Sequence, residues 1–320
     1  MKIYKKERLP DGQRHIYLFG KKIISYKKRP SKFRTLFDKR FDGLTDKQVK
    51  YCIEHQFKRR FGYLPNLDDP KTFNEKLQWL KLYHRNLLMT VCADKVAVRD
   101  FVAERIGSEY LIPCLGVWDN PDDIDFDKLP DKFVLKVNWG SGQNIIVKDK
   151  SKLDLEEAKK KLAHWMQPQK NHYYYAFEWS YKDIKPKIIA EKYMEELNEN
   201  LIDWKIFCNY GKPIFLFLGI DRFKDLRFNF YDTNFNQLPF KQHYKNSDKK
   251  IEKPECFDKL LELAEKLTKD FIHARADFYV VNNKIYFGEI TFFHFAGLHR
   301  FDPPEWDRKL GDLLVLPKDK

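Results

Sequence analysis

The stretch RADFYVVNNKIYFGEIT, residues 275–291, decides the fold because it has the pattern of two β-strands joined by a tight turn. Apolar residues recur on either side of Asn-Asn-Lys, as they do in a β-hairpin. A two-residue turn would pair Val281 with Lys284 and put Asp277 and Glu289 on opposite faces. A three-residue turn would pair Val281 with Ile285 and set the two carboxylates opposite each other. The three-residue turn is our prediction, because asparagine tolerates the left-handed conformation it needs.

Two carboxylates that face each other across a hairpin repel and therefore need a cation. Oxygen ligands of this kind suit Mg²⁺ held together with phosphates. With the three-residue turn, Arg275 and Thr291 lie on the same face as Asp277 and Glu289. The alternative is a salt-bridge ladder on the surface, in which Arg275 bridges the two carboxylates without a metal.

Lysine and glycine residues earlier in the chain indicate a place for phosphate. Lys136 lies in an apolar strand just before Gly140-Ser141-Gly142, and glycine lets backbone N–H groups approach a phosphate closely. No helix follows this turn, which excludes a P-loop, and a plain hairpin turn remains the alternative. Lys95 and Arg99 are four residues apart on a predicted helix, Leu87–Ile106, and would share a face.

A further apolar strand ends in Glu191-Lys192-Tyr193-Met194. A carboxylate at a strand edge with free backbone groups can match the donors and acceptors of adenine, although these residues could equally be solvated. Asp203 and Lys205 alternate with apolar residues on the next strand. The histidines match no metal or protease motif, and neither a nucleophile elbow nor a dinucleotide-binding glycine motif is present.

Composition and charge narrow the class of protein. The chain has 320 residues, of which 43% are hydrophobic and 33% charged, as in a soluble globular protein. It has no apolar run long enough to span a bilayer, no signal peptide, and five scattered cysteines that favour neither disulfides nor a zinc site. Residues 1–60 carry 19 lysines and arginines against six acidic residues, so the formal excess of +13 lies there. We therefore expect the cytosol, and no nucleic acid as partner, since no nucleic-acid-binding motif occurs. The basic segment fits an anionic surface, and a solvated basic face without a partner is the alternative.

The order of predicted elements is helical first and strand-rich later. A basic strand pair, Lys2–Leu9 and Arg14–Ser25, is joined by a turn at Pro10–Gly12, and Gly20 is a candidate break in the second strand. Helices with capping boxes at Thr45/Gln48 and Thr72/Glu75 follow, and the predicted third helix stops at Gly107. After Pro113, short apolar strands dominate, interrupted by two helices. This order favours an α+β fold with a mainly antiparallel sheet.

Together, in this order and at this spacing, these segments resemble an ATP-grasp enzyme. More specifically, the chain is similar to the TupA-like (teichuronopeptide-synthesis) ATP-grasp family of bacterial surface-polysaccharide clusters, over about residues 65–317. The segments that carry the resemblance are Phe73–Leu82, Ala93–Arg99, Leu129–Lys136 with its glycine turn, Ile189–Tyr193, Asp203–Phe207, and Arg275–Thr291 through Gly297.

The resemblance implies two sheet-containing lobes around the nucleotide, residues 86–190 and 191–320. They would follow a basic appendage at 1–30 and a small helical region at 31–85. It also implies the residues that bind ATP: Lys95 and Lys136 at the phosphates under Gly140, Ser141 and Gly142; Glu191, Lys192, Tyr193 and Met194 at adenine; and Asp203 at the ribose. It further implies Mg²⁺ at Asp277, Glu289 and Thr291, where Thr291 replaces the usual asparagine. Arg275, which would steady the transferring phosphoryl group, and Lys205 are the candidate catalytic residues.

The activity implied by the resemblance is an ADP-forming carboxylate–amine ligase. It would join an amino acid or amine to a carboxylate, expected to be a uronic acid of a surface-polysaccharide precursor, through an acyl phosphate. Such chemistry needs charge neutralisation rather than a protein nucleophile. A glycosyltransferase and a non-catalytic glycan-binding module with aromatic residues 173–181 are the alternatives. We expect a cytoplasmic protein whose residues 1–30 dock at the inner face of the membrane.

Overall fold

The computed structural model describes residues 4–8, 13–18, 21–27, 31–194, 202–221 and 225–318. The chain forms two compact units, residues 1–55 and 56–320. Among the described residues, no helix is long and apolar enough to cross a membrane.

The first unit begins with an antiparallel sheet of three strands, β1 (Tyr4–Arg8), β2 (Gln13–Leu18) and β3 (Lys21–Lys27). The predicted pairing of the first two strands is confirmed, and the second predicted strand, Arg14–Ser25, is divided into β2 and β3, which pair with each other. The turn predicted at Pro10–Gly12 and the break predicted at Gly20 lie outside the described residues. Helix α1 (Lys32–Asp38) follows, N-capped by Ser31.

Helix α2 (Asp46–Phe61) starts at the predicted capping box. The Thr45 N–H donates to Gln48 Oε1 at 2.9 Å, and the Gln48 N–H donates to Thr45 Oγ1 at 3.4 Å. Helix α3 (Phe73–Tyr83) has the second predicted box, between Thr72 and Glu75. Both starts follow from the sequence because a capping box satisfies otherwise unpaired N–H groups locally.

The long helix predicted over Leu87–Ile106 is in fact two helices, α4 (Leu87–Ala93) and α5 (Val98–Arg105). The Asp94 carboxylate accepts a hydrogen bond from the Val96 N–H at 2.8 Å, which ends α4 in a turn. Lys95 therefore lies in this turn. The prediction that it shares a helical face with Arg99 was wrong. Gly107 follows α5 with φ +115°, which fits its predicted place after the helix.

The first sheet of the second unit has four antiparallel strands in the order β4-β7-β5-β6. They are β4 (Cys114–Trp118), β5 (Phe133–Val137), β6 (Asn144–Val147) and β7 (Ile188–Lys192). Helices α6 (Leu155–Trp165) and α7 (His172–Ala176) lie between β6 and β7 in the chain. Strand β4 was not predicted, because a register shift beside Gly116 interrupts its alternation.

The second sheet has six antiparallel strands in the order β11-β10-β9-β8-β13-β14. They are β8 (Asp203–Asn209), β9 (Lys212–Ile220), β10 (Arg227–Tyr231), β11 (Gln237–Leu238), β13 (His273–Val281) and β14 (Lys284–Thr291). Helix α8 (Phe257–Thr268) buries its apolar stripe. Two short strands, β12 (Lys241–Gln242) and β15 (Phe301–Asp302), pair with each other, and helix α9 (Glu305–Leu313) follows β15. Phe73 of α3 packs edge-on against Phe207 and Phe215 of this sheet. The fold is thus α+β with antiparallel sheets, as the sequence predicts.

The hairpin of β13 and β14 turns differently from the prediction. Val281 pairs with Lys284, so the turn has two residues, Asn282 and Asn283, both with positive φ. A bulge at Gly288 then shifts the register, so that Asp277 still pairs with Glu289. A Cβ at Gly288 would lie 3.1 Å from the Asp277 carbonyl oxygen, so glycine permits this close approach. The predicted facing of the carboxylates was right, and the predicted turn was wrong.

Candidate active site

Asp277 lies at the centre of a buried group of charges on the second sheet. Its Oδ1 accepts from Arg275 Nε at 2.7 Å and its Oδ2 from Arg275 Nη2 at 2.8 Å. Lys205, opposite Asp277 on β8, also donates to Oδ2. Burial alone would lower the pKa of Lys205, but the carboxylates of Asp277, Asp203 and Glu289 together outweigh burial and raise that pKa above the usual lysine value. The Asp277 charge is therefore compensated by two cations.

Glu289 faces Asp277 on β14 and is more open. Its Oε2 accepts from Lys95 Nζ at 3.2 Å, whereas its Oε1 lies 3.5 Å from Thr291 Oγ1 and 3.7 Å from Arg275 Nη2. Burial acts to raise the pKa of Glu289, but Lys95, Lys205 and Arg275 hold that pKa well below its usual range. Glu289 is thus ionised at neutral pH, and its Oε1 is the less firmly bonded oxygen.

A second ionic group lies on the four-stranded sheet. Glu191 of β7 accepts from Lys136 Nζ of β5 and, at 3.3 Å, from Arg99 Nη1 of α5. Arg99 also donates to the Ile112 carbonyl oxygen at 2.9 Å. Burial alone would lower the pKa of Lys136, but Glu191, together with Tyr279 and Glu289, outweighs burial and raises that pKa. Lys136 therefore stays cationic.

Lys95 links the glycine turn to the carboxylate pair. Its Nζ donates to the Gly140 carbonyl oxygen at 2.9 Å as well as to Glu289, and its backbone N–H donates to the Asn138 carbonyl oxygen at 3.0 Å. The turn between α4 and α5 places it there, which a continuous helix would not do. One ammonium thus bridges the two sheets.

A cavity lies where these groups meet. Charged side chains of both sheets line it, together with apolar side chains that form its wall. The lining residues are Cys92, Ala93, Lys95, Val98, Arg99, Leu111, Ile112, Lys136, Glu191, Phe287, Gly288 and Glu289. Cations beside an apolar wall suit a ligand that combines a polyanion with a planar apolar ring.

The remaining predicted residues lie at varying distance from this cavity. Asp203 is buried on β8, two residues before Lys205, and closely approaches Gly219 of β9. Lys192 is exposed at the end of β7, and neither it nor Tyr193 nor Met194 lines the cavity. Of the glycine turn, the Gly140 carbonyl oxygen contacts Lys95, and Ser141 and Gly142 are exposed.

Several buried polar side chains near Arg275 were not predicted. Burial raises the pKa of Glu178 to about 7, against the opposing effect of Lys81 and Arg275, and burial lowers the pKa of Lys81 to about 8. Tyr181 lies half-buried near these charges, and burial raises its pKa. His294 contacts Arg275 directly, with 2.7 Å between Nδ1 and Nη1. Of these residues only Lys81 had a signal in the sequence, because it follows Leu80 in an apolar helix and a lysine is rarely fully buried unless it is paired.

The hairpin presents oxygen donors of the kind that Mg²⁺ requires. Asp277, Glu289 and Thr291 offer only hard oxygen donors, which Mg²⁺ prefers. Glu289 Oε1, with contacts of 3.5 Å and longer, is the most available of them, whereas Asp277 is already bonded to Arg275 and Lys205. Within the described residues, no group of three or more histidine, cysteine, aspartate or glutamate side chains is gathered as a metal site. The hairpin's two carboxylates and one hydroxyl nevertheless fit Mg²⁺ in the type of donor.

The comparison with known families decides which family this is. The model of the TupA-like ATP-grasp family matches residues 75–315, which include both sheets of the second unit and the cavity. The chain belongs to the TupA-like ATP-grasp family. No curated protein matches it.

Solved structures similar to this TupA-like chain are remote in sequence. D-alanine–D-alanine ligase from Bacillus anthracis, complexed with ATP, is 19% identical with a TM-score of 0.37, over 63% of this chain and 54% of that one. L-amino acid ligase from Bacillus licheniformis is 12% identical with a TM-score of 0.43, over 90% and 62%. The chain spans about half to two thirds of the length of the first solved structures it matches.

Proposed function

We propose that this TupA-like protein is an ADP-forming carboxylate–amine ligase. The observation that carries the proposal is a convergence of four cations from separate elements: Lys95, Lys205 and Arg275 contact the Asp277/Glu289 pair. Lys95 also lines the cavity together with Lys136, which is bonded to Glu191. Burying charges costs free energy that ion pairing seldom recovers in full, so a protein retains such a cluster where it has a use. Charge neutralisation is what phosphoryl transfer requires.

In this proposal the nucleotide lies in the cavity between the sheets. Lys95 and Lys136 hold the phosphates, and the turn Gly140–Gly142 covers them. Glu191 and the backbone of Lys192–Met194 contact adenine, and Asp203 binds the ribose hydroxyls. The Glu191 carboxylate is paired with Lys136 and Arg99, which fixes the end of β7 where adenine would pack.

The reaction then proceeds in two displacements. An oxygen of the acceptor carboxylate attacks the γ-phosphorus of ATP, ADP leaves, and an acyl phosphate forms. The nitrogen of the amine attacks the acyl carbon, phosphate leaves, and an amide forms with loss of a proton. Arg275 and Lys205 compensate the charge of the transferring group. Mg²⁺, when bound by Asp277, Glu289 and Thr291, supplies further neutralisation of the phosphate charge.

The acceptor in this proposal is a uronic acid of a bacterial surface-polysaccharide precursor, and the donor is an amino acid or another amine. Family membership supports this class of substrate. Residues 1–30 would dock on an anionic membrane surface from the cytoplasmic side, which their basic composition and the exposed Lys21 and Lys22 support. Docking would bring the enzyme to a lipid-linked acceptor.

Hydroxylamine trapping tests the ligase proposal. The protein is incubated with Mg·ATP, hydroxylamine and each of a panel of uronic acids, and hydroxamate and ADP are quantified. We expect both products in equal amounts, and only when ATP and one uronic acid are present together. Release of sugar from a nucleotide sugar supplied in a parallel incubation, without ADP formation, would instead indicate a glycosyltransferase. Binding of glycan with no response to any nucleotide would indicate a binding module.

A further inference from the structure

The guanidinium of Arg275 is held on three sides. Nε and Nη2 donate to Asp277, Nη2 also donates to Thr291 Oγ1 at 3.0 Å, and Nη1 lies 2.7 Å from His294 Nδ1. A guanidinium has five N–H hydrogens, and these contacts use four of them. Among the described residues, no contact takes up the second hydrogen of Nη1. Because the guanidinium is planar, the direction of this second hydrogen is fixed once His294 accepts the first.

The contact fixes the protonation state of His294. Arginine cannot accept a hydrogen bond, so Nδ1 must carry the lone pair and Nε2 the hydrogen. His294 Nε2 lies 3.0 Å from Gln242 Oε1, the acceptor that this tautomer needs. Gln242 is oriented in turn, because its Nε2 donates to the His299 carbonyl oxygen at 3.1 Å. Both side chains are buried, so water does not compete for these bonds.

The backbone that carries His294 is also fixed. Phe295 and Ala296 have φ values of 48° and 55°, a left-handed conformation that costs free energy for residues other than glycine. Helix α3 holds this turn, because Gln78 Nε2 donates to the Gly297 carbonyl oxygen at 2.8 Å and Lys81 Nζ to the Ala296 carbonyl oxygen at 2.7 Å. His294 therefore connects Arg275 to a turn that hydrogen bonds from α3 hold in place.

We propose that His294 is a positioning residue: its imidazole accepts one Nη1 hydrogen of Arg275 and thereby aims the other at the transferring phosphoryl group. Gln242 sets the tautomer that makes this possible. The inference rests on the proposed function, since it takes Arg275 to meet that phosphoryl group. It adds that the productive direction of Arg275 depends on a neutral acceptor at position 294.

Two substitutions separate the two nitrogens of the histidine. In His294→Asn, the amide oxygen falls near the place of Nδ1 and can still accept from Arg275. In His294→Gln, the amide nitrogen falls near the place of Nε2 and can still donate to Gln242, but the acceptor for Arg275 is lost. His294→Phe keeps the ring that packs edge-on against Phe207 and loses both nitrogens. Gln242→Leu removes the support for the tautomer and leaves position 294 unchanged.

The readout is the affinity of the full-length protein for Mg·AMPPNP, which has a γ-phosphoryl group, against Mg·ADP, which has none. Calorimetry should show that the wild type prefers AMPPNP. His294→Gln and His294→Phe should lose about tenfold of this preference, as expected for one charge-assisted hydrogen bond, while their affinity for ADP stays unchanged. His294→Asn should retain most of it, and Gln242→Leu should fall between. Thermal melting selects the variants that fold.

Arg275→Met, measured in parallel, separates the possible failures. If Arg275→Met keeps the wild-type preference for AMPPNP, Arg275 does not meet the γ-phosphoryl group and that part of the proposed function is wrong. If Arg275→Met loses the preference but folded His294→Gln and His294→Phe keep it, the role of His294 is overturned. Equal loss in His294→Asn and His294→Gln would also overturn it, because the acceptor would then make no difference. If no variant at position 294 folds, an undiminished preference in Gln242→Leu overturns the proposal.

Discussion

Glu289 and Asp277 face each other, yet only Glu289 keeps an oxygen without a close cation. Asp277 is bonded to Arg275 and Lys205, whereas Glu289 Oε1 has no contact shorter than 3.5 Å among the described residues. Of the two carboxylates, Glu289 is therefore the one whose charge is more available to a divalent cation. This difference makes Glu289 the better residue to substitute.

Glu289→Gln should lower ADP formation at least about 100-fold, because the amide keeps the size of the side chain but loses its charge. The fold should be kept, since the side chain is partly exposed. The increase in melting temperature caused by Mg·ATP should shrink as well, because only binding to the folded state stabilises. Both are measured on purified protein.

The matched control is Glu252→Gln, which removes one negative charge from an exposed position outside the cavity. It should leave ADP formation and the nucleotide-induced shift unchanged. A folded Glu289→Gln protein with wild-type turnover would remove Glu289 from the metal assignment.

At the scale of single residues, the sequence predicted the positions of side chains correctly where those side chains belong to short motifs. Asp277 and Glu289 could be paired from one hairpin, and Lys136 could be placed on a strand. Glu178 and His294 could not be recognised, because their burial depends on segments far apart in the chain, whereas Lys81 left a signal as a lysine in an apolar helix. Nothing local in the sequence distinguishes a buried histidine that accepts from an arginine from a solvated one.

Among the elements, the β13–β14 hairpin shows how two deviations cancel. The two-residue turn alone would put the carboxylates on opposite faces, and the bulge at Gly288 reverses this. The turn itself has a clear sequence requirement, since Asn282 and Asn283 have φ values of 49° and 59°. Such a turn favours Asn and Gly and disfavours β-branched residues.

Asn283→Val should therefore lower the free energy of unfolding by about 1–2 kcal/mol, the cost of a left-handed conformation for an ordinary residue. Asn283→Gly should keep or slightly raise it, because glycine adopts this conformation without strain and only an exposed hydrogen bond to Glu255 is lost. Urea denaturation measures both. Equal stability of the two variants would mean that the turn does not have this geometry in solution.

Helix α9 caps helix α3 through a buried carboxyl group. Asp307 Oδ1 accepts from the Asn74 N–H and Oδ2 from Asn74 Nδ2, both at 2.9 Å. Burial nevertheless raises the pKa of Asp307 to about 6, although the hydrogen bonds from Asn74 oppose it. The folded protein therefore binds a proton here at a pH where the unfolded chain has lost it, and this group stabilises more as the pH falls from 6 toward 4.

The stability gap between the wild type and Asp307→Asn, which does not titrate, should accordingly shift by about 2 kcal/mol in favour of the wild type between pH 7.5 and pH 4.5. Denaturation curves of both proteins at several pH values measure this gap. A gap that stays constant, or one that shifts against the wild type toward acid pH, would show that the pKa of Asp307 is not raised.

The elements were predictable to different degrees for physical reasons. Capping boxes and buried strands carry local signals, so the starts of α2 and α3 and most strands of the two large sheets followed from the sequence. The break between α4 and α5 arises from the Asp94 side chain bonding the backbone, which competes with a helix that the periodicity favours. Strand β4 depends on its pairing with β7, and its own alternation is interrupted.

At the scale of the whole molecule, the catalytic proposal does not explain why the positive charge is concentrated at one end of the sequence. The excess of +13 lies in residues 1–60, while residues 61–320 have equal numbers of basic and acidic side chains. Each basic residue near an anionic leaflet contributes about 1 kcal/mol to binding. The proposed docking of residues 1–30 can therefore be tested by neutralising single charges in the full chain.

The double variant Lys21→Gln/Lys22→Gln should bind vesicles containing phosphatidylserine about 30-fold more weakly than the wild type, as the loss of two such contributions predicts. The matched control, Lys128→Gln/Lys152→Gln, removes two exposed charges elsewhere and should bind like the wild type. Sedimentation at low and high salt measures binding, which should fall with salt. Equal binding of both double variants would contradict docking through residues 1–30.

The central claim is that the carboxylate of the acceptor takes a phosphoryl group before the amide forms. The most direct measurement uses a uronic acid labelled with ¹⁸O in its carboxylate, together with Mg·ATP and an amine, and follows the phosphate released by mass spectrometry. The account predicts one ¹⁸O atom in each phosphate, because the bond broken in the second step leaves that oxygen on phosphorus. Phosphate without ¹⁸O, released as amide accumulates, would contradict the account.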